Sequence, residues 1–239
     1  MDYEELNYQS VSRSEELQRA AAFPVLMRKV YTWMTLALVI TGFTAYAVAS
    51  SPTILNLIYG NSYMMWVLFG AELLLVIGIS GAINRLSLPV ATLMFVLYSV
   101  INGAVFSSIF FAYTMSSIAK VFFITAGTFA GMSLFGYFTK SDLSSWGKIL
   151  FMALIGLIIA TVVNIFLRRS GLDLILSYAG VLIFVGLTAY DTQKIKMMFL
   201  EANDSGETMQ KYALLGALTL YLDFINLFIY LLRLFGRRE

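Results

Sequence analysis

The chain has 239 residues, of which 59% are hydrophobic and 13% are charged, and its formal net charge at pH 7 is +2. A soluble globular domain carries about a quarter charged residues, so much of this surface must face something other than water. The small net charge and the absence of a basic cluster argue against nucleic acid as a partner, and the lipid bilayer is the expected surrounding.

The sequence contains neither Cys nor His. The missing Cys excludes disulfides, thiol catalysis and zinc-thiolate sites. Histidine is the usual titrating group near neutral pH, so any proton chemistry must use carboxylates, Lys or Tyr. No P-loop, GxGxxG, GxSxG or HExxH motif occurs, and we expect neither an enzyme nor a tightly bound cofactor.

Residues 1–29 form an acidic stretch with no apolar core, which does not fit a signal peptide. We interpret it as a solvated cytoplasmic tail, followed by a transmembrane domain over residues 30–239. A membrane-spanning helix needs about 20 mostly apolar residues. Seven stretches satisfy this condition: 30–50, 63–83, 89–111, 118–138, 148–167, 174–190 and 212–235.

The predicted fold class is therefore an all-α membrane protein, a bundle of seven transmembrane helices. Ser51-Pro52 should end the first span, and Pro89 should lie at the start of the third. Gly127 and Gly131 form a small-xxx-small pair in the fourth span, which indicates either close packing within the bundle or a dimer interface.

The placement of Lys and Arg favours a cytoplasmic N-terminus, with ten of the 16 on the inner side. Seven crossings, which we favour, put Arg233, Arg237 and Arg238 outside, against the same rule. A re-entrant last segment, or one span that does not cross, would return them to the inner side.

Ionisable side chains at membrane depth are costly, so each is a candidate functional residue. Asp223 lies near the middle of the seventh span. Its face must look into the bundle or onto a water-filled path, which makes this helix the expected centre. The polar residues on the same narrow arc are Thr219, Asn226, Tyr230, Arg233 and Arg237.

Asp191 is predicted to end the sixth span, where it either pairs with Lys194 or lies against Asp223. The second arrangement requires the sixth helix to be displaced or kinked. Two carboxylates in a low-dielectric site cannot both ionise cheaply, so such a pair titrates as one unit and supplies a pH switch. Carboxylates with nearby carbonyl or amide oxygens also suit Ca²⁺.

Glu72 lies in the middle of the second span, either lining a pore or hydrogen-bonded in its neutral form to a neighbouring helix. Arg85 follows at the inner end, as a positive-inside anchor or as a partner for carboxylates. Along an unbroken helix Glu72 and Arg85 point to nearly opposite faces. Asn102 is a lone polar group whose expected role is an interhelical hydrogen bond.

Three segments together resemble the transmembrane Bax inhibitor motif family, in its bacterial branch: 186–196 (GLTAYDTQKIK), 217–228 (ALTLYLDFINLF) and 70–73 (GAEL). The resemblance implies a seven-helix bundle with the last helix at its centre and a pH-sensitive Ca²⁺ leak across the bacterial inner membrane. It implies that Asp191 and Asp223 form the sensor, with Arg85 as their latch.

We add Glu72, Thr219, Asn226 and Tyr230 as candidates for the ion path, and Asp191 with Asp223 as candidate Ca²⁺ ligands. The main alternative is a non-transporting membrane regulator that binds a membrane-bound AAA protease or another membrane protein, a partner that the resemblance also suggests. An intramembrane aspartyl protease is a weaker alternative, because Tyr190-Asp191 fits the pattern of such enzymes and Leu222-Asp223-Phe224 does not.

Overall fold

The computed structural model describes residues 3–167, 169–201 and 206–237, and within them the chain is helical without a strand. The side chains of residues 3–23, 62, 170 and 201 are not described. In chain order the helices are α1 (Tyr3–Ala49), α2 (Pro52–Tyr59), α3 (Ser62–Ala82), α4 (Leu88–Phe106), α5 (Ile109–Ala112), α6 (Met115–Phe138), α7 (Ser144–Leu167), α8 (Ser170–Glu201) and α9 (Glu207–Phe235).

Seven helical segments of the described chain are long and apolar enough to cross a membrane, which confirms the predicted number. The first of them begins at Pro24, inside the continuous helix α1, so the helix has no break at residue 29. Ser51 and Pro52 do separate α1 from α2, and Pro89 lies in the first turn of α4, as predicted.

The third span contains a break that the sequence did not reveal, at Ser107 and Ser108 between α4 and α5. A helix end leaves backbone carbonyls without an intrahelical partner. The Tyr59 hydroxyl, from the short helix α2, donates to the Val105 carbonyl at 2.9 Å and lies 3.0 Å from the Ser107 hydroxyl. Helix α2 was also not predicted. Through Tyr59 it supplies a hydrogen bond to one of the backbone carbonyls left unpaired at the break.

The sixth span differs most from the prediction, because α8 continues from Ser170 to Glu201. Asp191 therefore lies inside a long helix and does not end the span. The predicted displacement or kink of this helix is not needed, since α8 remains helical on both sides of Asp191 and packs along α9.

Helix α9 is the most enclosed of the seven spans, with 67% of its apolar window buried, against 11% for α3 and α7. It packs against α1, α4, α6 and α8. These four helices cover most of its surface and separate it from the bilayer. Asp223 is carried by this helix, so the fold places it away from lipid.

Helices α6 and α8 approach each other most closely at Gly136, where an added Cβ would overlap the Ala189 carbonyl. Gly127 and Gly131 are exposed and would meet nothing within 4 Å. The interpretation of this pair as close packing within the bundle was therefore wrong, and the dimer interface stays a prediction.

Candidate functional site

Asp191 of α8 and Asp223 of α9 lie side by side in the bundle. Their carboxyl groups are within hydrogen-bonding reach of each other, and both residues are buried, with relative exposures of 9% and 4%. Two carboxylate oxygens can share a hydrogen bond only if one of them carries a proton. One proton bound by either carboxyl group would therefore be shared between the two helices.

The Oδ2 atom of Asp223 is buried and accepts no hydrogen bond from a conventional donor among the described residues. Nearly all buried polar side-chain atoms in proteins have a partner, so an exception calls for an explanation. A bound proton or a cation would satisfy this oxygen.

The aspartates face a cavity of about 590 Å³ between α7, α8 and α9. Thr219, Asn226 and Tyr230 line the same cavity, so the predicted polar arc faces it from Thr219 to Tyr230, whereas Arg233 and Arg237 of that arc do not line it. The Asn226 Nδ2 donates to the Leu222 carbonyl at 2.8 Å. Its Oδ1 therefore remains available as an acceptor beside the aspartates.

A second cavity, of about 280 Å³, lies between the C-terminal end of α3, α8 and α9 and is lined by Ser80 and Leu215, among others. Asp191, Lys194 and Thr219 line both cavities. These three side chains thus form the wall that separates the two spaces, and the wall contains one member of the aspartate pair.

Lys194 is the cation whose charge acts on Asp191. Its Nζ lies 5.8 Å from the centre of the Tyr190 ring. Arg85, the predicted latch, lies exposed in the turn after α3 and forms no salt bridge with Asp191 or Asp223. The two cations on the last arc, Arg233 and Arg237, are also exposed.

Glu72 lies apart from the aspartate cavity. The Asn102 Nδ2 donates to the Glu72 Oε1 at 2.9 Å, and the Tyr221 hydroxyl donates to the Asn102 Oδ1 at 3.0 Å. Tyr221 also lies 2.6 Å from the Thr41 hydroxyl oxygen. Tyr221 and Asp223 are about 200° apart around α9, so Glu72 belongs to the opposite side of that helix.

Residues 41, 72, 102 and 221 form a hydrogen-bond network across α1, α3, α4 and α9, which sequence reasoning found only in part. Glu72 and Asn102 were identified as polar groups that need a partner, and each proves to be the other's partner. Tyr221 was missed. The signal that could have found it is its position two residues before Asp223 on the most buried helix.

The oxygens around the aspartate pair suit a transient cation better than a resident one. No group of three or more acidic residues able to hold a metal occurs in the part of the chain that the structure describes. Calcium takes six to eight oxygen ligands. Two carboxylates, the Thr219 hydroxyl and the Asn226 amide supply some of them, and water would have to supply the rest.

The sequence of residues 24–239 matches the family described as inhibitor of apoptosis-promoting Bax1. The inner membrane protein YbhL of Escherichia coli (strain K12) is 49% identical over 230 residues, which cover 95% of this chain and 98% of that protein. An uncharacterized protein of Borreliella burgdorferi is 44% identical over 229 residues, covering 96% and 99%. The protein RP147 of Rickettsia prowazekii, also uncharacterized, is 42% identical over 213 residues, covering 89% of each.

The family match spans all seven of the helices that could cross a membrane, together with both aspartates and the glutamate. The relatives in three bacteria align over nearly their whole lengths. This chain is a multi-pass membrane protein that belongs to the Bax inhibitor family.

Proposed function

We propose that the protein is a passive Ca²⁺ leak of the bacterial inner membrane, opened and closed by the protonation of Asp191 and Asp223. The proposal combines the activity implied by the family resemblance with the buried pair on α8 and α9. A relative that is 49% identical is named as an inner membrane protein, which supports the same location for this chain. The proposed N-terminus is cytoplasmic.

One observation carries the proposal: two buried carboxyl groups lie within hydrogen-bonding reach at the edge of a 590 Å³ cavity. Removing the shared proton leaves two negative charges together in a low-dielectric site, which is costly without a cation. The occupancy of the site by protons and by cations is therefore linked. A protein without histidine can sense pH in this way.

In the proposed closed state the pair is ionised and holds basic side chains against the wall between the two cavities. Lys194 already lies in this wall. Arg85 would join it through a movement of the inner end of α3, which is the latch that the resemblance implies. Protonation removes the charge that holds these cations, so the flux of Ca²⁺ should rise as the pH falls.

The test is Ca²⁺ entry into proteoliposomes that contain an indicator dye, measured across about pH 5 to 8. We expect wild-type flux to increase toward acid. In Asp223→Asn the proton can no longer be shared, because the amide does not ionise, and the pH dependence should flatten. Equal profiles for wild type and Asp223→Asn would contradict the proposal.

Asp142→Asn is the matched control, since Asp142 lies exposed in the loop between α6 and α7. Hydrogen bonds from Ser144 lower the pKa of Asp142 below its usual value. A group with a lowered pKa stays ionised across the measured range and loses its charge only at more acid pH. The Asp142→Asn profile should therefore match that of the wild type.

Absence of Ca²⁺ flux through wild type at every pH would also contradict the proposal. That result would turn attention to the alternative, a non-transporting membrane regulator, whose test is capture of a membrane-bound AAA protease by wild type and by Asp223→Asn alike.

A further inference from the structure

A third cavity, of about 550 Å³ and thus close in size to the aspartate cavity, lies between α1, α6 and α9. We call it the apolar groove. Its lining is almost entirely hydrophobic and includes Met34, Leu38, Phe129 and Phe224. Two further lining residues, Leu134 and Phe138, are exposed on the outer surface of α6. The groove therefore opens sideways, toward the space that the bilayer would occupy.

The length of the groove suits a chain-like occupant. Its lining on α6 extends from Phe122 to Phe138, a distance of about 24 Å at 1.5 Å per residue. This exceeds the depth of one leaflet, which is half of a hydrocarbon core about 30 Å thick. An extended hydrocarbon chain that enters from one leaflet would therefore lie within the groove along most of its length.

Only one end of the groove carries polar groups. The Tyr31 hydroxyl lies within hydrogen-bonding reach of the Ser133 and Thr192 hydroxyls there. At the same end the Lys196 Nζ donates to the Tyr137 carbonyl at 2.9 Å and lies 5.5 Å from the centre of the Tyr137 ring. Lys196 forms no salt bridge with a carboxylate of the described residues.

We propose that the apolar groove binds one acyl chain of an anionic phospholipid, whose phosphate contacts Lys196. A half-buried ammonium that pairs with no carboxylate of the described residues attracts a negative group, and basic pockets between transmembrane helices bind anionic head groups. Tyr31 lies in the N-terminal third of the first span, whereas Tyr137 and Lys196 lie near the C-terminal ends of α6 and α8. With the proposed cytoplasmic N-terminus, the lipid comes from the inner leaflet.

The groove and the aspartate cavity lie on different sides of the same two helices. Thr192 follows Asp191 on α8, and Phe224 follows Asp223 on α9. Thr192 contacts the polar end of the groove, and Phe224 lines it. Lipid binding itself does not depend on the calcium proposal, so the two proposals can fail separately.

The test is native mass spectrometry of the full chain in detergent, titrated with phosphatidylglycerol and with phosphatidylcholine of identical acyl chains. Wild type should retain one phosphatidylglycerol molecule in preference to phosphatidylcholine. Lys196→Gln should weaken retention of phosphatidylglycerol about fivefold and that of phosphatidylcholine less, because the choline cation already offsets the charge of its phosphate. Ala130→Trp, which places a large side chain in the groove, should abolish retention of both.

Matched controls separate the groove from the rest of the surface. Lys120→Gln removes an exposed charge near the start of α6, and Ala153→Trp adds bulk to the exposed surface of α7. Both should bind as wild type does. If Ala130→Trp does not fold, Ala126→Leu fills the same groove with a smaller side chain. Equal retention of the two lipids by wild type, or retention unchanged by filling the groove, would overturn the proposal.

Discussion

Tyr221 is the residue that ties the second polar network to the centre of the molecule. Its hydroxyl lies between Thr41 of α1 and Asn102 of α4, while its ring makes edge-to-face contacts with Phe95 and Tyr98. Hydrogen bonds between helices are one of the few directional forces available inside a bilayer, where apolar burial does not favour helix association. A single hydroxyl group thus fixes three helices relative to one another.

Replacing Tyr221 with Phe keeps the ring contacts and removes the hydroxyl. The Asn102 Oδ1 would then lose its donor in a buried environment, and we expect the free energy of unfolding to fall by about 1–3 kcal/mol. Unfolding by sodium dodecyl sulfate, followed by circular dichroism, measures the change. Tyr178→Phe, at an exposed position on α8, should leave stability unaltered. A loss of equal size in the two variants would refute the role of the network.

The sequence identified the costly residues at this scale, but it could not identify all of their partners. Glu72, Asp191 and Asp223 stand out because a carboxyl group at membrane depth is expensive. The partner of Glu72 depends on how α3 and α4 are rotated about their axes. Both helices are apolar on nearly every face, so periodicity does not encode that rotation. Tyr221 was further obscured because the chain contains 14 tyrosines.

The backbones of α6 and α8 come close together at Gly136, and the glycines of α6 show that this close approach is local. Gly136 lies against the Ala189 backbone, whereas Gly131, five residues earlier, has open space around it. Ala189 lies two residues before Asp191 on the same helix. The position of α8 at the candidate site therefore depends on the size of one residue of α6.

The two glycines provide a matched pair of substitutions. Gly136→Ala places a Cβ atom against the Ala189 backbone, and a backbone cannot move away by a change of rotamer. The substitution should lower the free energy of unfolding by about 1–3 kcal/mol. Gly131→Ala meets no atom and should raise it slightly, because alanine favours helix over glycine. Detergent unfolding of both variants is the measurement. A Gly136→Ala protein as stable as wild type would show that α6 and α8 do not pack as described.

The spans were predictable as elements because the bilayer imposes a minimum apolar length. The residues at which the helices end were harder to predict. The stretch after Tyr190 contains Asp191, Lys194 and Lys196, which indicated an interface, yet α8 continues to Glu201. Polar residues do not end a helix unless they compete for its backbone hydrogen bonds, and Lys and Gln are good helix formers. The end of the apolar run therefore did not mark the end of the helix.

An odd number of crossings separates the two ends of the whole molecule. If all seven candidate spans cross, the N-terminus and the C-terminus lie on opposite sides of the membrane, although three arginines lie near the C-terminus. The positive-inside rule depends on the total distribution of basic residues and tolerates such exceptions. The C-terminus should therefore be outside the cytoplasm if the N-terminus is inside.

Reporter fusions in a bacterial host measure this arrangement. Alkaline phosphatase, which is active only outside the cytoplasm, should be active when joined after Glu239 and inactive when joined in the loop after α3, at Ser87. Green fluorescent protein should show the reverse pattern. A fluorescent C-terminal fusion with inactive phosphatase at the same position would mean that one of the seven helices does not cross.

The three helices that line the aspartate cavity differ in how extensively they pack against the rest of the bundle. Helices α8 and α9 make the most extensive contact in the molecule, and they set the spacing of the two carboxyl groups. Helix α7, the third wall, is among the least buried spans and packs chiefly on α8. Changes in bilayer thickness or lateral tension act on the helices that lipid surrounds. Mechanical stress would thus alter the volume and hydration of the cavity while the spacing of the acids stays fixed.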